Sequence, residues 1–132
     1  MARKILVVDD DLYLRDIYEE TLKGEGYEVD IGINGEEGLT KLKQGGYDLC
    51  LLDMMLPKID GLGVLTLITE NPPPIKNGPI IILSNLSHET LIEEAISKGA
   101  ASYLVKADLT PAMLIAAVKK FLPEEEVPKT QT

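Results

Sequence analysis

The stretch Ile5-Leu6-Val7-Val8-Asp9-Asp10 joins a short apolar run directly to two carboxylates. Three later runs also end on a polar side chain: Leu49 to Leu52 on Asp53, Ile80 to Leu83 on Ser84, and Tyr103 to Val105 on Lys106. Short apolar runs separated by segments of helical period are typical of buried strands in a parallel α/β sheet. Such sheets carry their functional groups at the carboxyl ends of the strands, so we expect these polar side chains to meet in one crevice.

The rest of the chain predicts a single domain of about five βα units. Asn34 and Thr110-Pro111 are residues typical of the first positions of a helix. In the last helix, the side chains available to face the sheet are Met113, Ala117, Phe121 and Leu122. We expect residues 1–122 to form the domain and residues 123–132 to be a flexible acidic tail or the start of a linker. Strands are expected at Lys4 to Val8, Tyr27 to Ile31, Tyr47 to Leu52, Ile80 to Leu83 and Ser102 to Val105.

Composition excludes several classes of function. A net charge of −9 argues against a surface that follows nucleic-acid phosphates, because such surfaces need clustered Lys and Arg. No stretch approaches the roughly 18 uninterrupted apolar residues of a membrane span, and the chain does not open with a secretory signal pattern. We therefore expect a cytoplasmic protein without a direct nucleic-acid or membrane partner, in which the single Cys50 is a core residue.

The predicted cluster of carboxylates points to a particular chemistry. Three carboxylates brought together repel one another, so they must be partly protonated or hold a cation. A small set of oxygen ligands suits Mg²⁺, which keeps several waters and also binds phosphate oxygens. Asp53 stands alone at a strand end and can attack phosphorus, whereas the adjacent Asp9 and Asp10 make a better metal cradle. Lys106 and the Ser84 hydroxyl can then receive the charged phosphoryl oxygens.

These motifs together resemble the receiver domain of two-component response regulators. The resemblance spans about Lys4 to Leu122, and it implies a flavodoxin-like, doubly wound five-stranded parallel sheet of order 2-1-3-4-5, as in chemotaxis regulators. The motifs that carry it are Val7-Val8-Asp9-Asp10, Asp53 to Gly61 with its Met-Met-Leu-Pro-Lys-Ile-Asp, Ser84, and Gly99 to Lys106.

The resemblance also implies roles. Asp53 would accept a phosphoryl group from a sensor histidine kinase or phosphotransfer protein, in a signalling module that catalyses only its own phosphorylation and slow dephosphorylation. Tyr103 would swing inward as Ser84 moves, and the switched face would contact a downstream partner or a second copy. Mg²⁺ would be held by Asp10, Asp53 and the backbone carbonyl of Met55, with Asp9 nearby or acting through water, while Ser84 and Lys106 would contact the phosphoryl group.

Two local features concern the same site. The family's active-site lysine is generally followed by a proline, commonly in a cis bond, but here Ala107 follows Lys106. A cis bond before a residue other than proline costs about 2.5 to 4 kcal/mol, so we expect this bond to be trans, with some rearrangement of the residues after it. The resemblance implies that Met55 and Leu86 occupy the two positions that overhang the phosphoryl group. Because both residues are apolar, we expect a long-lived phosphorylated form.

Alternatives remain open at this stage. Asp9-Asp10-Asp11 contains the Asp-x-Asp of haloacid-dehalogenase-type phosphatases, although Tyr13 replaces the Thr or Val that should follow. A flavin or nucleotide module would need a glycine- or hydroxyl-rich first loop, and a phosphorylation-independent pseudo-receiver would not need every acidic position filled. Other polar residues are interpreted as structural: Asp11, Asp16, Asp30 and His88 as solvated surface, Ser87 as a helix cap, and Asp60 as part of a turn with Gly61.

Overall fold

The computed structural model describes residues 2–85 and 89–122 and shows a five-stranded parallel sheet in the order β2-β1-β3-β4-β5. This confirms the predicted architecture. The elements are β1 (Lys4–Val8), α1 (Leu12–Gly24), β2 (Glu28–Gly32), α2 (Gly35–Gln44), β3 (Leu49–Asp53), α3 (Gly61–Glu70), β4 (Ile80–Ser84), α4 (Glu89–Ser97), β5 (Ser102–Val105), a 3-10 turn (Lys106–Asp108) and α5 (Pro111–Phe121). In the described ranges no helix combines the length and apolar character needed to cross a membrane.

Two strands begin later than the sequence predicts. The Tyr27 amide bonds to the Leu22 carbonyl and so belongs to the end of α1, which leaves Glu28 as the first residue of β2. The Tyr47 amide is bound by the side chain of Asn77, and β3 starts at Leu49. In both cases the backbone amide is already hydrogen-bonded to a group outside the sheet, so it cannot join the strand ladder. The pattern of apolar residues does not reveal such a bond.

The sheet is buried on both faces, because alternate side chains of each strand point to opposite sides. On one side Leu6 and Val8 of β1 pack with side chains from α2, α3 and α4. On the other side Ile5 and Val7 pack with side chains from α1 and α5. Cys50 is fully buried in the first of these clusters, as expected for a small apolar side chain. Two helical layers thereby cover the five short strands: β3 and β4 are buried throughout, β1 is buried from Ile5 on, and the outer strands β2 and β5 are partly exposed.

The face that α5 presents to the sheet differs from the expectation. Leu114 and Val118 are buried, whereas Met113 is 48% exposed and Ala117 is intermediate. Leu114, Val118 and Leu122 are spaced by four residues, which keeps them on one stripe, and a shift of one residue turns a side chain by about 100° around the helix. The prediction that Met113 faces the sheet was therefore wrong, while Leu122 is buried as expected.

Side-chain caps fix where four helices begin. Asn34 and Thr110 cap α2 and α5 as predicted, accepting hydrogen bonds from the amides three residues on. Asp60 caps α3 in the same way, a structural role of the expected kind. Asp11 is exposed, but it is more than a solvated residue because it caps α1 by accepting from the Leu14 amide. The predictions for Ser87, His88 and residues 123–132 fall outside the described residues.

Candidate functional site

Three carboxylates meet at the carboxyl ends of β1 and β3. The two strands are neighbours, with Val8 paired to Leu52, so the residues that follow, Asp9 and Asp53, come to lie side by side. One carboxylate oxygen from each of Asp9, Asp10 and Asp53 lies within 4.8 Å of the others. Asp9 is fully buried and Asp53 is 3% exposed, whereas Asp10 faces solvent. The cluster therefore has a buried side and an open side.

Lys106 closes the buried side of this cluster. Its Nζ donates a hydrogen bond to Asp53 Oδ2 at 2.8 Å and forms an ion pair with Asp9 Oδ2 at 3.0 Å. The lysine follows β5, two strands away from β3, and its long side chain spans the intervening end of β4. Only 14% of that side chain is exposed, so the ammonium is a buried counterion shared by two carboxylates.

The pKa values of Asp53 and Lys106 reflect this shared ion pair. Burial raises the pKa of Asp53 to about 6, and the charge of Asp9 adds to the shift while the hydrogen bond from Lys106 opposes it. Burial alone would lower the pKa of Lys106, but its hydrogen bond to Asp53 and the charges of Asp53 and Asp9 outweigh burial, and the pKa is raised. The ammonium of Lys106 thus does not fully offset the effect of burial on the Asp53 carboxylate.

Backbone contacts hold the acidic groups in place. The amide of Met55 donates to Asp53 Oδ1 at 3.2 Å, and the amide of Asp11 donates to Asp9 Oδ1 at 2.9 Å. The Arg15 guanidinium donates to the Asp9 carbonyl at 3.1 Å. Arg15 was not predicted as part of the site, and its only sequence signal is its position one helical turn after the acidic run.

Gly61 closes the loop that follows Asp53. Its amide donates to the Met54 carbonyl, and a methyl group on its Cα would lie 2.3 Å from the Asp53 carbonyl oxygen. Because any side chain here would displace the backbone of the acidic residue, the sequence position requires glycine. The pair Asp60-Gly61 was expected to be a structural turn, and the close approach explains why it is needed.

The remaining predicted residues lie around the cluster. Ser84 is fully buried at the end of β4, and its Oγ donates to the Asn85 carbonyl at 3.1 Å. Tyr103 is on β5 and is 46% exposed. Met55 is 57% exposed beside Asp53, and Leu86 lies outside the described residues.

The peptide bond between Lys106 and Ala107 is trans, as predicted. The chain then forms the 3-10 turn Lys106–Asp108, which the Leu109 amide closes by bonding to the Lys106 carbonyl. The rearrangement of residues 107–110 relative to the family's usual geometry stays a prediction. The ammonium still reaches Asp53, so a proline is not required for the contact.

Comparisons with known proteins agree on one family. The sequence model of the response regulator receiver domain matches residues 5–119. Chemotaxis protein CheY of Treponema pallidum is 38% identical over 106 residues, which cover 78% of this chain and 72% of CheY. Transcriptional regulatory protein SrrA of Staphylococcus aureus is 34% identical over 122 residues, or 92% of this chain; these residues cover 48% of SrrA, so the chain spans about half of that relative. A solved CheY-like receiver domain from Methanospirillum hungatei superimposes with a TM-score of 0.83 at 29% identity, covering 94% of this chain and 96% of that one.

Proposed function

The chain belongs to the response regulator receiver domain family, and on that premise we propose that it is a switch phosphorylated on Asp53. Receiver domains of two-component systems are signalling modules and not classical enzymes. The donor would be the phosphohistidine of a sensor kinase or phosphotransfer protein. Residues 1–122 would form the switching unit, and residues 123–132 a flexible tail or linker. Family membership favours this function over a phosphatase of the haloacid dehalogenase type.

The observation that carries the proposal is the environment of Asp53. An Asp53 carboxylate oxygen would attack phosphorus, the P–N bond of the phosphohistidine would break, and the imidazole would leave with that electron pair. The product is an acyl phosphate. Lys106 already donates to Asp53 Oδ2, so its ammonium needs only a short movement to bind phosphoryl oxygens. The buried Ser84 hydroxyl, at the neighbouring strand end, is the second proposed phosphoryl contact.

The same cluster fits a divalent cation. Asp9, Asp10 and Asp53 offer oxygens within 4.8 Å of one another, and the exposed Asp10 leaves one side open to water, which suits a hard cation that keeps part of its hydration. We assign Mg²⁺ to these three residues together with the Met55 backbone carbonyl. When bound, Mg²⁺ would neutralise charge on the phosphoryl oxygens. The open side is also where a donor histidine would approach.

The proposed response starts at Ser84 and reaches Tyr103. Phosphorylation would add about 1.5 to 2 negative charges at Asp53. Ser84 and Lys106 would move toward this charge, and the half-exposed ring of Tyr103 would turn into the space that Ser84 leaves. Tyr103 lies two residues before the end of its ladder with β4, so this movement would change the surface formed by β5 and its flanking helices.

The assignment of Asp53 can be tested by intact mass after incubation with acetyl phosphate and Mg²⁺. The native protein should gain one phosphoryl group and Asp53→Asn none. Asp16→Asn, at an exposed aspartate of α1, is the matched control and should be modified like the native protein. A full adduct on Asp53→Asn would overturn the assignment. Sustained turnover of a phosphomonoester by the native protein would instead support the phosphatase alternative.

A further inference from the structure

The turn Asp9-Asp10-Asp11 joins β1 to α1, and hydrogen bonds hold it on both sides of Asp10. The amide of Asp9 donates to the Gly32 carbonyl at 3.1 Å, which extends the pairing of β1 with β2. The amide of Asp11 donates to Asp9 Oδ1 at 2.9 Å. The Asp11 carboxylate accepts from the Leu14 amide and so anchors the turn to the start of α1. Asp9 and Asp11 are therefore fixed to a strand and to a helix.

Asp10 lies between these two fixed residues and has no such anchor of its own. It faces solvent, and in the described part of the chain its carboxylate has no hydrogen-bond or ion-pair partner. Its place beside Asp9 and Asp53 is therefore set by the backbone that leads into it. The direction of that backbone depends on the peptide unit between Asp9 and Asp10, which is planar.

Arg15 holds this peptide unit from the first part of α1. Its Nη1 donates to the Asp9 carbonyl at 3.1 Å, and that oxygen belongs to the peptide bond between Asp9 and Asp10. The Arg15 amide donates to the Asp11 carbonyl at 2.9 Å, so the arginine backbone is part of the helix that Asp11 caps. The side chain thus ties the peptide unit that precedes Asp10 to the frame of α1.

The charge of Arg15 is not used to neutralise a carboxylate. Among residues 2–85 and 89–122 the arginine forms no ion pair, although Asp11 and Asp16 are close to it along the chain. Its described side-chain contact is the backbone carbonyl of Asp9. A charged donor binds such an oxygen more strongly than a neutral donor does, so the contact is suited to fixing the backbone.

From these contacts we propose that Arg15 is a positioning residue of the metal site, holding Asp10 where its carboxylate can share a divalent cation with Asp9 and Asp53. The inference rests on the proposed function for the assignment of Mg²⁺ to these carboxylates. Mg²⁺ requires nearly octahedral geometry with oxygens at about 2.0 to 2.1 Å, so a ligand on a loosened turn binds it less well. Side chains that orient a metal ligand without touching the metal typically contribute a factor of about 10 to 100 in affinity.

A purely electrostatic effect of Arg15 would have the opposite sign. A cation beside the site repels Mg²⁺, so removal of the guanidinium charge alone would tighten Mg²⁺ binding. Loss of the hydrogen bond to the Asp9 carbonyl would weaken Mg²⁺ binding, because Asp10 would no longer be held. The direction of the change in affinity therefore distinguishes positioning from charge.

The test is isothermal titration calorimetry of the protein with MgCl₂ at neutral pH. Arg15→Met removes the donor and the charge, whereas Arg15→Lys keeps a charged donor on a long side chain. The matched control is Arg3→Met, one residue before β1 at the other end of that strand, which is also partly buried and changes the net charge by the same one unit. Circular dichroism checks that each variant is folded. If Arg15→Met is unfolded, Arg15→Gln replaces it, because this shorter side chain also loses the charge and the reach to the Asp9 carbonyl.

We expect Arg15→Met to bind Mg²⁺ about tenfold more weakly than the native protein. Arg15→Lys should recover most of that affinity, and Arg3→Met should bind Mg²⁺ like the native protein. Unchanged or tighter binding by Arg15→Met would overturn the inference. Equal weakening by Arg3→Met or by Arg15→Lys would overturn it as well, because neither result depends on the bond to the Asp9 carbonyl.

Phosphorylation by acetyl phosphate separates this inference from the proposed function. The Mg²⁺ concentration that gives half-maximal labelling of Asp53 should rise about tenfold in Arg15→Met, with labelling at saturating Mg²⁺ approaching that of the native protein. Weak labelling even at saturating Mg²⁺ would show that Arg15 acts on phosphoryl transfer itself and would overturn its positioning role. Equal Mg²⁺ affinity in the native protein and Arg15→Met would contradict the inference and leave the metal assignment intact. A native protein that binds no Mg²⁺ would overturn both.

Discussion

At the scale of single residues, Lys106 is the counterion of the buried acidic cluster. Its ammonium lies within 3.0 Å of oxygens from both Asp9 and Asp53. Replacing it by methionine would leave two buried carboxylates without a counterion. We expect Lys106→Met to lower the free energy of unfolding by about 3 kcal/mol without Mg²⁺ at neutral pH, as measured by urea denaturation. Lys43→Met, at an exposed position of α2, is the control and should change it little.

Tyr18 shows the opposite case, a polar atom without a partner. Its ring is 3% exposed, and its hydroxyl makes no hydrogen bond within the described structure. Burial raises the pKa of Tyr18 to about 12, with Lys106 opposing and Asp9 and Asp53 adding to the shift, so the phenol stays neutral. We expect Tyr18→Phe to raise the free energy of unfolding by roughly 1 kcal/mol in urea denaturation. A loss of stability would mean that the hydroxyl is bonded in solution.

Met55 is one basis for the prediction that the phosphorylated form is long-lived. Its side chain is 57% exposed beside Asp53, and it offers no useful hydrogen bond to an attacking water. Hydrolysis of the acyl phosphate should therefore be slow. The family resemblance implies that Met55→Asn combined with Leu86→Glu would restore polar groups beside that water, so we expect this double variant to lose phosphate faster, as followed by single-turnover decay. An unchanged or slower rate would mean that loop opening or metal geometry limits the reaction.

Sequence analysis predicted that several polar residues lie at the carboxyl ends of the strands, and the structure places them there. Asp53 and Ser84 are the last residues of β3 and β4, and Asp9 and Lys106 directly follow β1 and β5. The sheet order brings these strand ends together. Sequence analysis did not foresee that Lys106 contacts Asp9 as well as Asp53, because this depends on how the lysine side chain crosses the end of β4. Nor could it find the unpartnered Tyr18 hydroxyl, because helical spacing indicates which face is buried and not what each buried atom contacts.

At the scale of elements, a polar contact joins β2, α2 and the loop before β3. The Tyr47 hydroxyl donates to Asp30 Oδ2 at 2.6 Å, and Lys41 Nζ donates to Asp30 Oδ1 at 2.9 Å. Asp30 was predicted to be a solvated surface residue, which was wrong. Its place on the edge strand β2 suggested exposure, but the Tyr47 ring, 3% exposed, reaches it from the loop before β3.

This contact should make part of the stability depend on pH. Burial alone would raise the pKa of Asp30, but hydrogen bonds from Tyr47 and Lys41 outweigh burial, and the pKa is lowered from 3.8. A lowered pKa means stabilisation that is complete above pH of about 4 and lost as pH falls through the folded-state value. Tyr47→Phe should therefore cost about 1 kcal/mol at neutral pH and less under acid conditions. A cost that is independent of pH would contradict the role of the Asp30 charge.

The pattern of apolar residues predicted the bounds of the strands better than it predicted which face of a helix is buried. β1 and β5 have the predicted bounds, because each is an apolar run closed by a charged or turn residue. The burial of Leu114 in place of Met113 could not be read from hydrophobicity, since both residues are apolar and adjacent. Packing against α1 selects between the two, and that contact exists only in the folded chain.

At the scale of the whole molecule, the polar functional groups lie at the carboxyl ends of the strands, and the surface formed by α4 and β5 lies on one flank of the sheet. The proposed coupling between them runs through Tyr103. We expect beryllium fluoride with Mg²⁺ to shift amide resonances of α4 and β5 in the native protein, and Tyr103→Ala to weaken those shifts while Asp53 still accepts phosphate. Equal shifts in both proteins would show that another residue couples the two surfaces.

The crowding of Asp9, Asp53 and Lys106 in the interior has an evolutionary consequence. Buried like charges reduce stability, and in a sheet end of this kind neutral residues of similar size would be tolerated or favoured. Purifying selection for signalling would be needed to keep them. A duplicated gene no longer under that selection would therefore lose these residues early, whereas the apolar residues of its strands would change slowly. Its products would keep the fold without the phosphorylation site.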